Sequence, residues 1–137
     1  MRVIIDTSVW SLALRRNDPE ENEYVFELKE LIKEVRAQLI GPVRQELLNG
    51  IKSKKQFNLL KKHLRGFEGP EIEIEDYELA AEFFNTARKN GLQASNTDFL
   101  ICAISKRHKM PILTTDKDFL HFQAVLPIEL HKTRFTA

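Results

Sequence analysis

Two short apolar runs, each carried into an aspartate, constrain this chain more than any other feature. Val3-Ile4-Ile5 leads into Asp6, and Pro111-Ile112-Leu113 leads through two threonines into Asp116. A run without polar alternation marks a strand covered on both faces, which is how parallel sheets are buried. Proline can open such a strand, where its missing N–H is not needed. Helical and strand-like segments alternate between the two runs. The expected fold is therefore a three-layer α/β/α sandwich with a mostly parallel central sheet. At 137 residues, the whole chain (1–137) is expected to form one domain that closes its core without disulfide or metal staples.

Along the chain, Val9, Trp10, Leu12, Ala13 and Leu14 predict a short helix, capped by Thr7 or Ser8 and broken at Asn17-Asp18-Pro19. Tyr24, Leu28, Leu31, Ile32 and Val35 predict a helix over 20–38. Residues 38–41 read as a second strand. Pro42 suits the first position of the next helix, whose inward stripe is Val43, Leu47 and Ile51, with Gly50 weakening or ending it. Lys52, Lys54, Lys55, Lys61, Lys62, His63 and Arg65 then alternate with Phe57, Leu59, Leu60 and Leu64, an amphipathic helix with a cationic outer face. Ile72 and Ile74 between Glu71, Glu73 and Glu75 read as a charged edge strand. Tyr77, Ala80, Ala81, Phe84 and Ala87 mark a helix stopped by Asn90-Gly91, and the most apolar helix covers 97–106. After the strand ending at Asp116 come a small turn at Asp118-Phe119, a last strand over 125–130 and a frayed tail from His131.

Lys and Arg total 21 against 20 acids, a net charge of +1. A nucleic-acid partner is permitted by local clusters, not announced by overall charge. The single cysteine, Cys102, sits in the apolar run Phe99-Leu100-Ile101-Cys102-Ala103 and reads as a small buried hydrophobe. It fits a reducing, cytoplasmic setting. No signal-peptide pattern and no bilayer-length apolar run is present, so no membrane partner is expected.

Sites in open parallel sheets form at the carboxyl ends of strands, where Asp6 and Asp116 fall. Glu46 shares a helix face with Val43 and Gly50, and Asp98 with Ile101 and Cys102, so both acids border an apolar stripe. Each acid also has a plain structural reading. Asp6 can begin a turn or cap a helix, Asp98 can answer a helix dipole, and Asp116-Lys117-Asp118 can be a charged turn. Taken together, four carboxylates converging without a counter-charge would raise one another's pKa values. A hard divalent cation relieves that, and oxygen-only ligands favour Mg²⁺ or Mn²⁺ over zinc.

Four stretches in order resemble the successive signatures of PIN-domain ribonucleases. They are Val3-Ile4-Ile5-Asp6-Thr7-Ser8-Val9, Arg44-Gln45-Glu46-Leu47, Thr97-Asp98-Phe99-Leu100-Ile101-Cys102-Ala103 and Ile112-Leu113-Thr114-Thr115-Asp116-Lys117-Asp118-Phe119. Their spacing resembles the VapC toxins of VapBC toxin–antitoxin pairs, over essentially the whole chain. The resemblance implies five parallel strands in the order 3-2-1-4-5, an acidic Mg²⁺ or Mn²⁺ site and endonucleolytic cleavage of RNA. It also implies a homodimer and inhibition by a cognate VapB-type antitoxin. Position by position, Asp6, Glu46, Asp98 and Asp116 match the family's acidic quartet, as catalytic residues and metal ligands. Asp118 is an extra candidate ligand, and Thr7 and Thr114 match small hydroxyl positions beside the site. Segment 71–75 matches the third strand only loosely.

On that reading Asp6 and Asp98 are central ligands, Asp116 completes the site, and Glu46 binds a second metal or positions the water. Trp10 and Phe57 belong to the core rather than to base stacking. The helices over 24–35 and 57–64 offer apolar surface for an antitoxin groove or a dimer seam. Two alternatives stand beside the toxin: a housekeeping RNA-processing nuclease of the same family, and a non-catalytic RNA-binding or regulatory module. A phosphatase of the haloacid-dehalogenase kind is disfavoured by Ser8, where such an enzyme needs a second aspartate.

Overall fold

In a computed structural model describing residues 1–14 and 22–135, all three residues of β1 (Val3–Ile5) are fully buried. Successive strand side chains point to opposite faces, so both faces of β1 are covered. It is the middle strand of a parallel sheet ordered β2-β1-β3, with β2 at Ala37–Gln38 and β3 at Ile112–Leu113. Val3 lies beside Ala37, and Ile5 beside Leu113. This register brings the carboxyl ends of β1 and β3 next to each other.

Helices supply the cover. α1 (Thr7–Ala13) packs on α2 (Glu23–Lys33) and on α3 (Gly41–Leu48), and α3 packs on α4 (Lys54–Leu64). α5 (Ile74–Lys89) lies along α6 (Asn96–His108) and touches α7 (Asp118–Val125). The α/β class with a parallel sheet is the one expected. No helix among the described residues is long and apolar enough to cross a membrane.

The strand count differs from expectation, for local reasons. The strand expected over 38–41 is shifted to Ala37–Gln38, because Ile40 caps α3 and Gly41 already begins it, with Pro42 in its first turn. The edge strand expected over 71–75 does not form. The Glu73 side chain accepts from the Asp76 N–H while the Asp76 carboxylate accepts from the Glu73 N–H, a reciprocal cap that starts α5 at Ile74. Ile74, read as inward, is 73% exposed. Beside β2 runs residue 68, whose carbonyl accepts the Leu39 N–H. The next residue must be glycine there, since a Cβ on Gly69 would collide with the Leu39 carbonyl. The turn expected at Asp118-Phe119 is the start of α7, which buries Phe119 and Phe122. The last expected strand reduces to one parallel bridge, Ile112 to Leu130. The expected break at Asn17-Asp18-Pro19 lies outside the described residues.

The tail is anchored, not frayed. Glu27, fully buried on α2, accepts from the Arg134 backbone N–H at 2.9 Å and from its guanidinium at 3.0 Å. His131 Nε2 lies 2.9 Å away, and Arg134 also reaches Glu34 at 3.0 Å. Burial alone would push Glu27 upward; the Arg134 and His131 hydrogen bonds outweigh it and hold the carboxyl at about 2. The turn from α2 to β2 carries a strain. Val35, 84% exposed, sits at φ 57, a left-handed conformation a β-branched residue rarely adopts.

Val35→Gly should therefore raise stability by about 1 kcal/mol, read as a higher Tm. Arg134→Met should cost roughly 3–5 kcal/mol in urea denaturation, because it strips a buried carboxylate of its guanidinium and leaves it only the backbone N–H and His131. Glu27→Leu should cost less, since Arg134, 39% exposed, can return to water. Because folding lowers the Glu27 pKa from 4.5, its contribution is complete above that value and should be lost as pH falls toward 2.

Candidate active site

β1 ends at Asp6, whose N–H adds one more rung to the sheet by donating to the Leu113 carbonyl at 2.9 Å. Asp6 stands at the N-cap of α1, yet its side chain makes no capping bond. Its Oδ2 instead accepts from Ser8 Oγ at 2.7 Å and from Thr114 Oγ1 at 2.8 Å. Each hydroxyl is itself oriented by a backbone donor. The Thr115 N–H donates to Ser8 at 3.1 Å, and the Asp116 N–H to Thr114 at 3.0 Å. Two main-chain groups at the end of β3 thus fix, through two hydroxyls, one oxygen of a buried carboxylate on β1.

The other acids arrive from separate elements. Glu46, on α3, accepts from Thr7 Oγ1 at 2.6 Å, which ties it to the residue after Asp6. Asp98 lies in the first turn of α6, where its N–H donates to the Ser95 cap at 3.2 Å. Burial raises the Asp98 carboxyl to about 6, with Asp6 and Asp116 adding to the shift and hydrogen bonds with Ser95 opposing it. Asp116 Oδ1 accepts the Asp118 N–H at 2.9 Å, so one of its oxygens makes the turn that the plain reading foresaw. Asp118 is exposed and meets this group through its backbone. The buried Cys102 thiol is pushed far up by burial and by the charges of Asp98 and Asp6, which leaves it inert.

Three carboxylates are buried among the described residues: Asp6, Glu27 and Asp76. Glu27 has Arg134, and Asp76 has Arg107 at 2.7 Å. Asp6 has only hydroxyl partners, and no lysine or arginine reaches Asp6, Glu46, Asp98 or Asp116 among the described residues. The acids differ in how closely they meet. Asp98 senses the charges of Asp6 and Asp116, whereas Glu46 is joined through Thr7.

The one set of three ligand atoms within 4.8 Å among the described residues lies elsewhere, at Glu73, Asp76 and His108. That cluster can geometrically hold an ion, but the Arg107 guanidinium already neutralises it, lying 2.7 Å from Asp76 and 3.5 Å from Glu73. Sequence reasoning missed this cluster, whose signal was the reciprocal cap Glu73-Ile74-Glu75-Asp76. It also missed the orienting role of Ser8, legible only as a second hydroxyl after Asp6. Trp10 is buried against Phe67, with ring centroids 4.8 Å apart, as expected of a core residue.

A family model described as PIN domain matches residues 3–125. No curated protein sequence is significantly similar to the chain. Among solved structures, FitAcB from Neisseria gonorrhoeae superposes with a TM-score of 0.74 at 23% identity, covering 95% of this chain and 96% of that one. VapBC2 from Rickettsia felis, bound to a DNA fragment from its promoter, gives 0.74 at 19%, covering 96% and 98%. VapBC-5 from Mycobacterium tuberculosis, a member of the VapBC family of toxin–antitoxin systems, gives 0.68 at 17%, covering 96% and 98%. At these identities the likeness is one of fold.

In chelator, Asp98→Asn should leave stability unchanged or raise it, by at most about 3 kcal/mol well above pH 6. The folded state favours the protonated acid, so this stabilisation is complete below pH 3.8 and is lost as pH rises through 6. The variant's advantage should accordingly vanish in acid, and a lower Tm at neutral pH would make Asp98 a structural residue.

Proposed function

The chain belongs to the PIN-domain family, and on that footing we propose that it is a metal-dependent endoribonuclease serving as the toxin of a VapBC-type toxin–antitoxin pair. The observation that carries the nuclease reading is the state of Asp6, a buried carboxylate whose neighbours in charge are other carboxylates and whose hydrogen bonds come only from neutral hydroxyls. Elsewhere this protein neutralises a buried acid with arginine. A divalent cation is the counter-charge that fits here, and hard oxygen donors suit Mg²⁺ or Mn²⁺.

In this reading Asp6 and Asp98 hold the ion, Asp116 completes the set, and Glu46, steadied by Thr7, binds a second ion or positions the attacking water. Asp118 stands at the rim as a fifth acid. When bound, the ion lowers the pKa of water and offsets charge on the phosphate and its leaving oxygen. The chain's own task is to keep those oxygens in place. Ser8 and Thr114 do this for Asp6 through Oδ2, and among the described residues no side chain bonds its other oxygen. Attack by water with departure of the 3′-oxygen leaves 5′-phosphate and 3′-hydroxyl ends.

The toxin reading rests on the fold shared with FitAcB and the VapBC structures. It further proposes a homodimer and a cognate antitoxin. A groove of about 470 Å³ lined by Leu14, Ile51, Leu59 and Leu60 supports a place for an antitoxin segment beside α4. A neighbouring reading frame for a small DNA-binding protein would favour this over a housekeeping RNA-processing role.

Purified protein should cut structured RNA with Mg²⁺ or Mn²⁺ and stop when chelator is added. Asp6→Asn and Asp98→Asn should abolish cutting, while Ser8→Ala and Thr114→Ala should slow it about 10–100-fold, as expected for groups that orient a ligand. Equal cutting by the aspartate variants would rule out this chemistry.

A further inference from the structure

A groove of about 490 Å³ opens at Thr114, Thr115 and Asp116 and continues between the start of α2, α7 and the tail at residues 130–133. Its size lies within the range of about 300–1,000 Å³ usual for small-ligand sites. It takes in Asp116 and runs on past the other acids, with Glu23 also on its wall. α7 explains its far wall. Phe119 and Phe122 turn into the core, while Leu120 and Gln123, three residues apart, share the opposite face and line the groove. Leu120 is a large apolar side chain left 59% exposed. Tyr24 lines the groove from the first turn of α2.

Its cations differ from those of the ion pairs already described. Arg36, Arg107 and Arg134 each face carboxylates. Lys117 and Lys132 also line the groove, and among the described residues neither makes a salt bridge or a hydrogen bond with its side chain. Unpaired lysines beside an uncompensated set of acids are placed to offset the repulsion that those acids would impose on a polyanion.

We propose that this groove is a nucleotide subsite that takes one nucleoside of single-stranded RNA next to the phosphate held at the acids. The base lies against Tyr24 and Leu120 with its edge toward the Gln123 amide, and Lys117 and Lys132 contact flanking phosphates. The proposal rests on the ribonuclease reading and names how that site receives its substrate. Three features favour an RNA strand. A strand whose phosphate sits at Asp116 must run on into the adjoining space. Within its mixed lining, Tyr24 and Leu120 beside the Gln123 amide suit a base, which offers a flat face and a hydrogen-bonding edge. Free lysines at the rim suit phosphates. The wall is also preformed, because Arg134 and His131 pin the tail to Glu27, so little ordering is needed on binding.

The test is fluorescence anisotropy of a labelled single-stranded RNA on the full chain in chelator, across a salt series. The double variant K117E/K132E should weaken binding about tenfold or more and flatten the slope of log K against log salt by about 1.4, or 0.7 per phosphate. Leu120→Ala should weaken binding without changing that slope. Reversing two lysines on α4, K61E/K62E, should change affinity by less than about twofold if the groove is the binding place. Failure of the wild type to bind, survival of full affinity in K117E/K132E, or an equal loss in K61E/K62E would each overturn the subsite. RNA held through Lys117 and Lys132 but never cut with Mg²⁺ or Mn²⁺ would sink the nuclease and keep the subsite. Metal-dependent cutting with undiminished affinity in the groove variants would do the reverse.

Discussion

The contact between the ends of β1 and β3 is the constraint on which the rest of the structure depends. Because the two strands run parallel and in register, the residue leaving β1 meets the threonine pair leaving β3. The Asp6 N–H extends the ladder, and the hydroxyls of Ser8 and Thr114 then lock its carboxylate. An antiparallel partner would have brought a strand's opposite end there. α6 and α3 need only approach this seam with their first turns and outer faces for Asp98 and Glu46 to join it.

The same molecule shows two ways of burying a carboxylate, and the difference separates scaffold from candidate site. Glu27 and Asp76 are each paired with a guanidinium, and each ties together segments far apart in the chain, the tail to α2 and α6 to α5. Pairing a buried charge in this way prevents the large penalty of an orphaned ion. Asp6 is steadied only by neutral donors, and burial, with the charges of Asp6 and Asp116 added, raises the work of ionising Asp98. Among these buried carboxylates, charge pairing is missing at Asp6 and kept at the other two, the pattern expected when a site trades stability for chemistry.

Much of this was legible in the sequence. The unbroken apolar runs Val3-Ile4-Ile5 and Ile112-Leu113 identified the buried parallel strands, and helix breakers such as Asn90-Gly91 fell where α5 ends. Illegible parts had a common cause, competition between local signals of similar strength. Alternation at 71–75 mimicked a strand, while a reciprocal cap at Glu73 and Asp76 took the segment into a helix. Asp118 and Phe119 read as a turn, yet the turn bond from Asp118 to Asp116 also starts α7. For the site, the acids and their order were readable. The hydroxyl relay was not, since nothing local to Ser8 says that a main-chain N–H from residue 115 will choose its proton's direction. The tail was misread because a basic, apolar-poor ending gives no sign of a buried acid waiting on α2.

That last contact has a consequence for synthesis. Glu27 emerges from the ribosome 107 residues before the arginine that neutralises it. Throughout that interval the inner face of α2 carries an unmatched anion, which opposes its burial. Long-range pairing of this kind delays consolidation of the early part of the chain. Polypeptides stalled before residue 134 are thus marked as unfinished by a single uncompensated charge, and should fall to proteases sooner than chains only a few residues longer.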